Sequence, residues 1–316
     1  MNDNVKRGFK RKTIVETIER KMNKWIKSID DEKLQKRVKA DYIVTGGAIA
    51  SMLLGDMPND YDVYFQTPAV ALDLVNYYLG KVTKSDKVSR IYAEESNRGG
   101  VKVMIKSAGI IRSEEEDFKD YDYFEATNGT NIESYLDKES FKSKTPYTVA
   151  MISSNAISLH GDVQIITRFV GRPDVIHENY DFVHVTNWFT EASGLVLNDE
   201  ALEAILAREL RYVGSLYPIC TMFRIKKFLN RGWTITAGEM LKIAWDISKL
   251  DLDDMAVLYD QLIGVDAAYF HQLITILKKV DRTELDRTYL FEAINRVFDQ
   301  KDESEDEFHD LVKDGN

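Results

Sequence analysis

Between Tyr42 and Phe65 the chain reads YIVTGGAIASMLLGDMPNDYDVYF, and no other stretch restricts the fold as much. Tyr42, Ile43 and Val44 form a short apolar β run, which Gly46 and Gly47 break. Ala48 to Leu54 then reads as a short helix stopped by Gly55, and Pro58-Asn59 turns the chain into the alternating segment Asp60 to Phe65. The order is strand, tight turn, helix, turn, strand.

Two features of this stretch bear chemistry. Side chains one residue apart on a strand point to the same face, so Asp60 and Asp62 aim two carboxylates at one place, where they suit a divalent cation such as Mg²⁺ or Mn²⁺. Gly46 and Gly47 have no Cβ, so backbone N–H groups there can approach an anion that also faces the positive end of the following helix. Phosphate and metal can therefore meet. Phosphoryl and nucleotidyl transfer need this: charge neutralisation and alignment rather than covalent help. A glycine pair or an Asp-x-Asp by itself is more often structural; the combination in this order is far more specific.

Around this stretch the period of the apolar residues divides the chain. Residues 1–40 carry an amphipathic helix from about Thr13 to Val38, with Ile14, Ile18, Met22, Trp25 and Ile26 on one side and many bases elsewhere. A basic RNA-binding arm and a solvated helix face both fit. A helix is expected over Ala69 to Leu79. Strands are expected at Lys87 to Ala93, Val101 to Ile105, Tyr147 to Ser153, Val163 to Phe169 and Phe182 to Val185, with a hairpin turn at Ser96 to Gly100. Residues 113–144 are polar and read as an insertion. After about Leu195 the pattern is helical: Asp199 to Val213, Pro218 to Leu229, Thr236 to Leu250, and three more segments to Phe298. Thr236 and Glu239 have capping-box spacing. The expected class is α+β, with a mixed-sheet domain over 41–195 and an all-helical domain over 196–316 that ends in an acidic tail.

Composition removes several classes. The net charge of −10 argues against a protein that coats nucleic acid by bulk attraction. Cys220 is the only cysteine, which excludes an internal disulfide and a thiolate zinc cluster, and its apolar surroundings suit a core residue. The five histidines show no metal-ligand spacing and are expected to be structural. No apolar run approaches the roughly 18 residues of a membrane span, and the start lacks the apolar core of a secretory signal, so a cytoplasmic protein is expected.

The segment TGGAIASMLLGDMPNDYDVYF resembles the head motif of the polymerase-β-like nucleotidyltransferases, particularly the poly(A) polymerase and bacterial CCA-adding group. Weaker similarity follows at VQIITRF (Val163 to Phe169), at YDFVHVTNWF (Tyr180 to Phe189) and at the neck-like RELRYVGSLYPICTMFRIKKFLNRGW. The resemblance implies a nucleotidyltransferase head followed by a helical neck and body. It also implies template-independent transfer of a nucleoside monophosphate from a nucleoside triphosphate to a hydroxyl, with Asp60 and Asp62 as catalytic metal ligands and Gly46 and Gly47 at the phosphates. The acceptor it implies is an RNA 3′ end, with tRNA as one case; other members of the superfamily modify proteins or small molecules. A faint similarity to uncharacterised phage proteins points to a viral source and a host cytoplasm.

The departures from that family are specific. Gln164 stands where the group has its third acidic residue, and Asp162 lies about 6.6 Å earlier along the strand, either as a substitute carboxylate or as a turn residue after Gly161. Asp181 matches an aspartate near the nucleotide wall, or it is a buried cap of a backbone turn; Asn187 has the same standing. Arg224, Lys227 and Arg231 fall along one helical face, which either tracks nucleotide or RNA phosphates or is solvated. Ala50-Ser51 replaces the Arg-Asp pair of the CCA-adding group, so base specificity does not carry over. Gln164 also keeps open a rival reading: a nucleotidyltransferase fold kept only to bind RNA or protein.

Overall fold

The computed structural model describes residues 7–83, 91–95, 100–105, 145–152 and 156–252, with isolated positions 254, 257, 261, 291, 292, 295 and 296. The expected insertion at 113–144, most of the 96–100 turn and nearly all of the last three helical segments lie outside them. The described residues fall into two units. One runs to His177 and includes Val185–Ala201; the other holds Glu178–His184 and the residues from Leu202 onward.

In the first unit the expected long amphipathic helix is two, α1 (Arg11–Lys27) and α2 (Glu32–Asp41). The break is local chemistry: the Asp31 side chain accepts from the amides of Lys33 and Leu34, at 2.8 and 3.0 Å, and starts a new helix. Both helices belong to the same unit as the sheet. Ile14, Ile18, Met22 and Trp25 are fully buried in the same core as the sheet. Trp25 satisfies its indole N–H on the Tyr78 hydroxyl, 2.9 Å away.

That sheet has seven strands in the order β5-β6-β7-β2-β1-β8-β9. They are β1 (Tyr42–Thr45), β2 (Tyr61–Phe65), β5 (Val149–Ile152), β6 (Ala156–Leu159), β7 (Val163–Val170), β8 (Trp188–Thr190) and β9 (Gly194–Val196). Only β2 and β7 pair in parallel; every other neighbouring pair is antiparallel, so the sheet is mixed as expected. Short α3 (Gly47–Leu53) joins β1 to β2, and α4 (Pro68–Val82) follows β2. The hairpin β3 (Ile91–Glu95) and β4 (Val101–Ile105) adds Val101 and Val103 to the core. Strands β6, β8 and β9 were not foreseen, and Phe182–Val185 is a turn of 3₁₀ helix over Val183–Val185 rather than a strand.

One face of the sheet is apolar. Val44, Val63, Ile165 and Ile157 lie side by side in register across four strands and are fully buried. Because the strand period is two, the residues between them face the other way. That second face carries the site.

The chain leaves β7 through α5 (Pro173–His177). Beyond β9 come α6 (Asp199–Ala207), β10 (Glu209–Leu210), α7 (Pro218–Asn230), β11 (Thr234–Ile235) and α8 (Ala237–Ile247). The described residues of the second unit are mainly helical, but β10 and β11 form a short parallel pair where an all-helical domain was expected. Helix α6 stops early because Arg208 turns to φ 49°. Thr236 caps α8 through the Glu239 amide, but Glu239 does not complete the box: its carboxylate takes the Tyr212 amide at 2.6 Å.

Candidate functional site

Strand β1 delivers its last residue, Thr45, opposite Asp62 of β2; Asp62 is in register with Gln164 of β7, and Gln164 with Ser158 of β6. Thr45, Asp62, Gln164 and Ser158 thus form a polar row across the face turned away from the apolar core. Asp62 is half-buried, while Asp60, just before the strand, is exposed. Since β1 runs antiparallel to β2, the glycine turn leaves the sheet at the end where Asp60 and Asp62 enter it. Gly46, Gly47, Asp60 and Asp62 therefore lie towards the same end of the β1–β2 pair.

The two glycines have different duties. Gly46 sits at φ 91°, ψ −151°, a conformation that a side chain resists, and its N–H is given to the Val185 carbonyl at 3.1 Å. It is therefore a structural hinge whose amide is already used. Gly47, the first residue of α3, is exposed, and a Cβ built there would meet nothing within 4 Å. Open space in front of a helix-initiating amide is what an approaching anion requires.

Asp162 does not join the row. It adopts φ 60° after Gly161 at φ 88°, so it is the turn residue of the two alternatives, and its carbonyl accepts from the Tyr61 amide at 2.9 Å. Its carboxylate lies 3.1 Å from Lys21 Nζ, which also stands 5.5 Å from the centre of the Tyr61 ring. Lys21 belongs to α1 and Tyr61 to the apolar core, so Asp162 points to the helix-covered side, away from Asp62. Burial and then the Asp162 charge push the Tyr61 hydroxyl up to about 12. Among the described residues no group of three His, Cys, Asp or Glu side chains is placed to hold a metal ion. The hard-oxygen groups of this region are the carboxylates of Asp62 on this face and of Asp60 just before the strand, with the Gln164 amide oxygen. That set suits Mg²⁺, which commonly takes one or two carboxylates and completes its shell with phosphate and water.

Asp181, Arg224 and Lys227 belong to the second unit, where the first two form a bonded set of their own. The Asp181 carboxylate is 5% exposed, pairs with the Arg224 guanidinium and accepts from Ser215 Oγ at 2.7 Å. Ser215 Oγ in turn accepts the Tyr217 amide at 3.0 Å, and the Asp181 carbonyl accepts the Val213 amide at 2.9 Å. The carboxylate is thus buried and bonded to two side chains, and it reaches the 215–217 turn only through the Ser215 hydroxyl. Lys227 is exposed on α7. Asn187, fully buried in the first unit, takes the Asn198 amide on Oδ1 at 2.9 Å.

Two residues of the face escaped the sequence reading. Thr45 is fully buried, and its Oγ1 lies 2.9 Å from the Asn187 carbonyl and 2.9 Å from His177 Nε2. Burial holds the His177 imidazole down to about 4, with Asp174 opposing weakly, so the ring is neutral at physiological pH. Thr45 adjoins the glycine pair and was open to notice; His177 has no spacing to any motif, and only the fold brings it there.

Fold and site together define an α+β protein whose mixed sheet presents an Asp-x-Asp strand beside a Gly-Gly turn. The model of the Gabija anti-defense 2 family matches residues 16–208, more than half of the sequence, and the chain belongs to that family. No curated protein matches it. Among solved structures it is similar to the Thermotoga maritima CCA-adding enzyme complexed with tRNA, at 11% identity over 92% of this chain and 68% of that one, with a TM-score of 0.37. A CCA-adding enzyme with ATP gives 13% identity, 95% and 68% coverage and a TM-score of 0.39. A tRNA-processing enzyme with CTP gives 10% identity, 89% and 73% coverage and a TM-score of 0.35. Likeness this remote carries no functional weight. No helix among the described residues is long and apolar enough to cross a membrane.

Proposed function

We propose that the chain transfers a nucleoside monophosphate from a nucleoside triphosphate to a hydroxyl acceptor, and that this chemistry serves the anti-defence role for which its family is named. The supporting observation is the register that sets Asp62 between Thr45 and Gln164 while the Gly46–Gly47 turn and Asp60 meet at the same end of the sheet. Asp60 and Asp62 would hold Mg²⁺ or Mn²⁺, which would neutralise the triphosphate and polarise the reacting oxygens. Gly47 leaves room for the phosphates. Gln164 would contribute its carbonyl oxygen and not a negative charge. Lys227 is exposed on α7 of the second unit, and Arg224 pairs there with Asp181.

The resemblance of the Gly-Gly to Asp-x-Asp stretch favours an RNA 3′ end, including that of tRNA, as acceptor; the family name favours a component of the Gabija defence. Both are settled by one experiment. The protein is incubated with each α-labelled nucleoside triphosphate and Mg²⁺ in extracts of cells with and without the Gabija system, and label is sought in RNA and in protein. Label in neither fraction, with any nucleotide or metal, would end the enzymatic reading. The rival, a non-catalytic binding module, draws on Gln164 and on the diversion of Asp162 to Lys21. It expects no metal-dependent affinity for nucleotide.

A further inference from the structure

Resting on that reading, we infer that Thr45 and His177 are a positioning pair that fixes the glycine turn beside Asp62. Thr45 is the last residue before the turn and the register partner of Asp62. Its hydroxyl has one hydrogen to give. The Asn187 carbonyl, 2.9 Å away, can only accept and therefore takes that hydrogen, with the Val185 carbonyl a longer alternative at 3.4 Å. His177 Nε2, 2.9 Å from the same oxygen, must then carry a hydrogen and donate it, which sets the tautomer of the neutral ring.

The result is a chain of bonds closing on the turn. His177, at the end of α5, holds Thr45; Thr45 holds the Asn187 carbonyl; and Val185, two residues earlier, takes the Gly46 amide at 3.1 Å. The segment 185–187 is itself anchored by the Asn198 amide on Asn187 Oδ1 and by Asn198 Nδ2 on Thr186 Oγ1. Gly46 needs a positive φ to open the turn, so the direction in which Gly47 faces depends on both flanks being fixed. His177 touches no reacting atom; it acts through Thr45.

The test measures Mg²⁺-dependent binding of each nucleoside triphosphate by equilibrium dialysis, together with thermal unfolding. His177→Leu removes the donor and should weaken binding about tenfold, the usual scale for one hydrogen bond in a buried set. His177→Gln, whose amide can donate to the same oxygen, should recover most of the loss. Thr45→Val should match His177→Leu, Thr45→Ser should behave as wild type, and the double variant should be no worse than either single change. If His177→Leu does not fold, the contrast between Thr45→Val and Thr45→Ser carries the test. Wild-type affinity in His177→Leu or in Thr45→Val, or additive losses in the double variant, would overturn the pair while leaving the nucleotidyltransferase reading intact. A wild-type protein that binds no nucleotide with metal would remove both.

Discussion

Asp62 and Asp181 carry the same side chain on two units of the chain, and their surroundings set them to different tasks. Asp181 is sealed in the second unit with a guanidinium and a hydroxyl on its two oxygens. Asp62 is half-buried on the polar face, two residues from exposed Asp60 and between strand partners that carry no charge. A buried carboxylate bonded to a guanidinium and a hydroxyl stabilises a fold; two carboxylates one residue apart at a more exposed position suit a divalent cation. Asp162 shows a third outcome, an acid close to the site in sequence but turned to the other side by one left-handed residue.

The largest effect should come from Asp60 and Asp62. Asp60→Asn with Asp62→Asn should lower transfer by at least about a thousandfold, because the metal would lose both charged ligands, while urea unfolding stays within about 0.5 kcal/mol of wild type. A destabilised double variant would put these residues in the structural class with Asp181. Conversely, Asp181→Ala should cost about 2 kcal/mol in urea unfolding, since it takes a buried carboxylate from the partly exposed Arg224 and removes the acceptor of the Ser215 hydroxyl. Amide exchange should rise within residues 202–252 first.

Acid exposes a further contrast. Burial among Phe182, Phe228 and Trp233 holds the His184 imidazole down to about 3, and burial holds His177 to about 4. Both values lie below that of an unfolded histidine, so the unfolded chain binds more protons in acid. The stability these neutral rings give is complete above pH 6.5 and is lost as pH falls towards 4 for His177 and 3 for His184. Each ring should contribute a slope approaching 1.4 kcal/mol per pH unit across its window, about one proton's worth. His184→Phe should flatten the lower part of that profile, and an unchanged profile would show that the ring is charged in the fold.

The smallest effect belongs to Asp162. Asp162→Asn should cost about 1 kcal/mol or less through the partly exposed Lys21 pair and leave transfer rates unchanged. A large loss of transfer with the fold intact would return Asp162 to the site. Gln164→Glu, by contrast, should speed transfer without tightening nucleotide binding much, because it adds a charge beside Asp62.

What was legible in the sequence follows from how local each determinant is. Gly46, Gly47, Asp60 and Asp62 sit within one strand-helix-strand unit, so strand period and glycine conformation were enough to bring them together. The face of Asp162 depended on a single φ after Gly161, which spacing does not reveal. Strands β8 and β9 are three residues each and find their partners through β1, so no periodic pattern announced them. The break between α1 and α2 was readable from Asp31, whose side chain takes two amides, yet the apolar rhythm across it concealed the boundary. His177 reaches Thr45 from 132 residues away.

The central claim is that Asp60 and Asp62 make this face a nucleotidyl-transfer site, and the most direct measurement compares wild type with the double asparagine variant. Each is supplied with α-labelled nucleoside triphosphates, Mg²⁺ and extract containing the Gabija system. The account predicts label covalently attached to an RNA or protein acceptor by the wild type alone, with pyrophosphate released in equal amount. Label transferred equally by both proteins, or a wild type that transfers none yet still counters Gabija when the two aspartates are replaced, would contradict it.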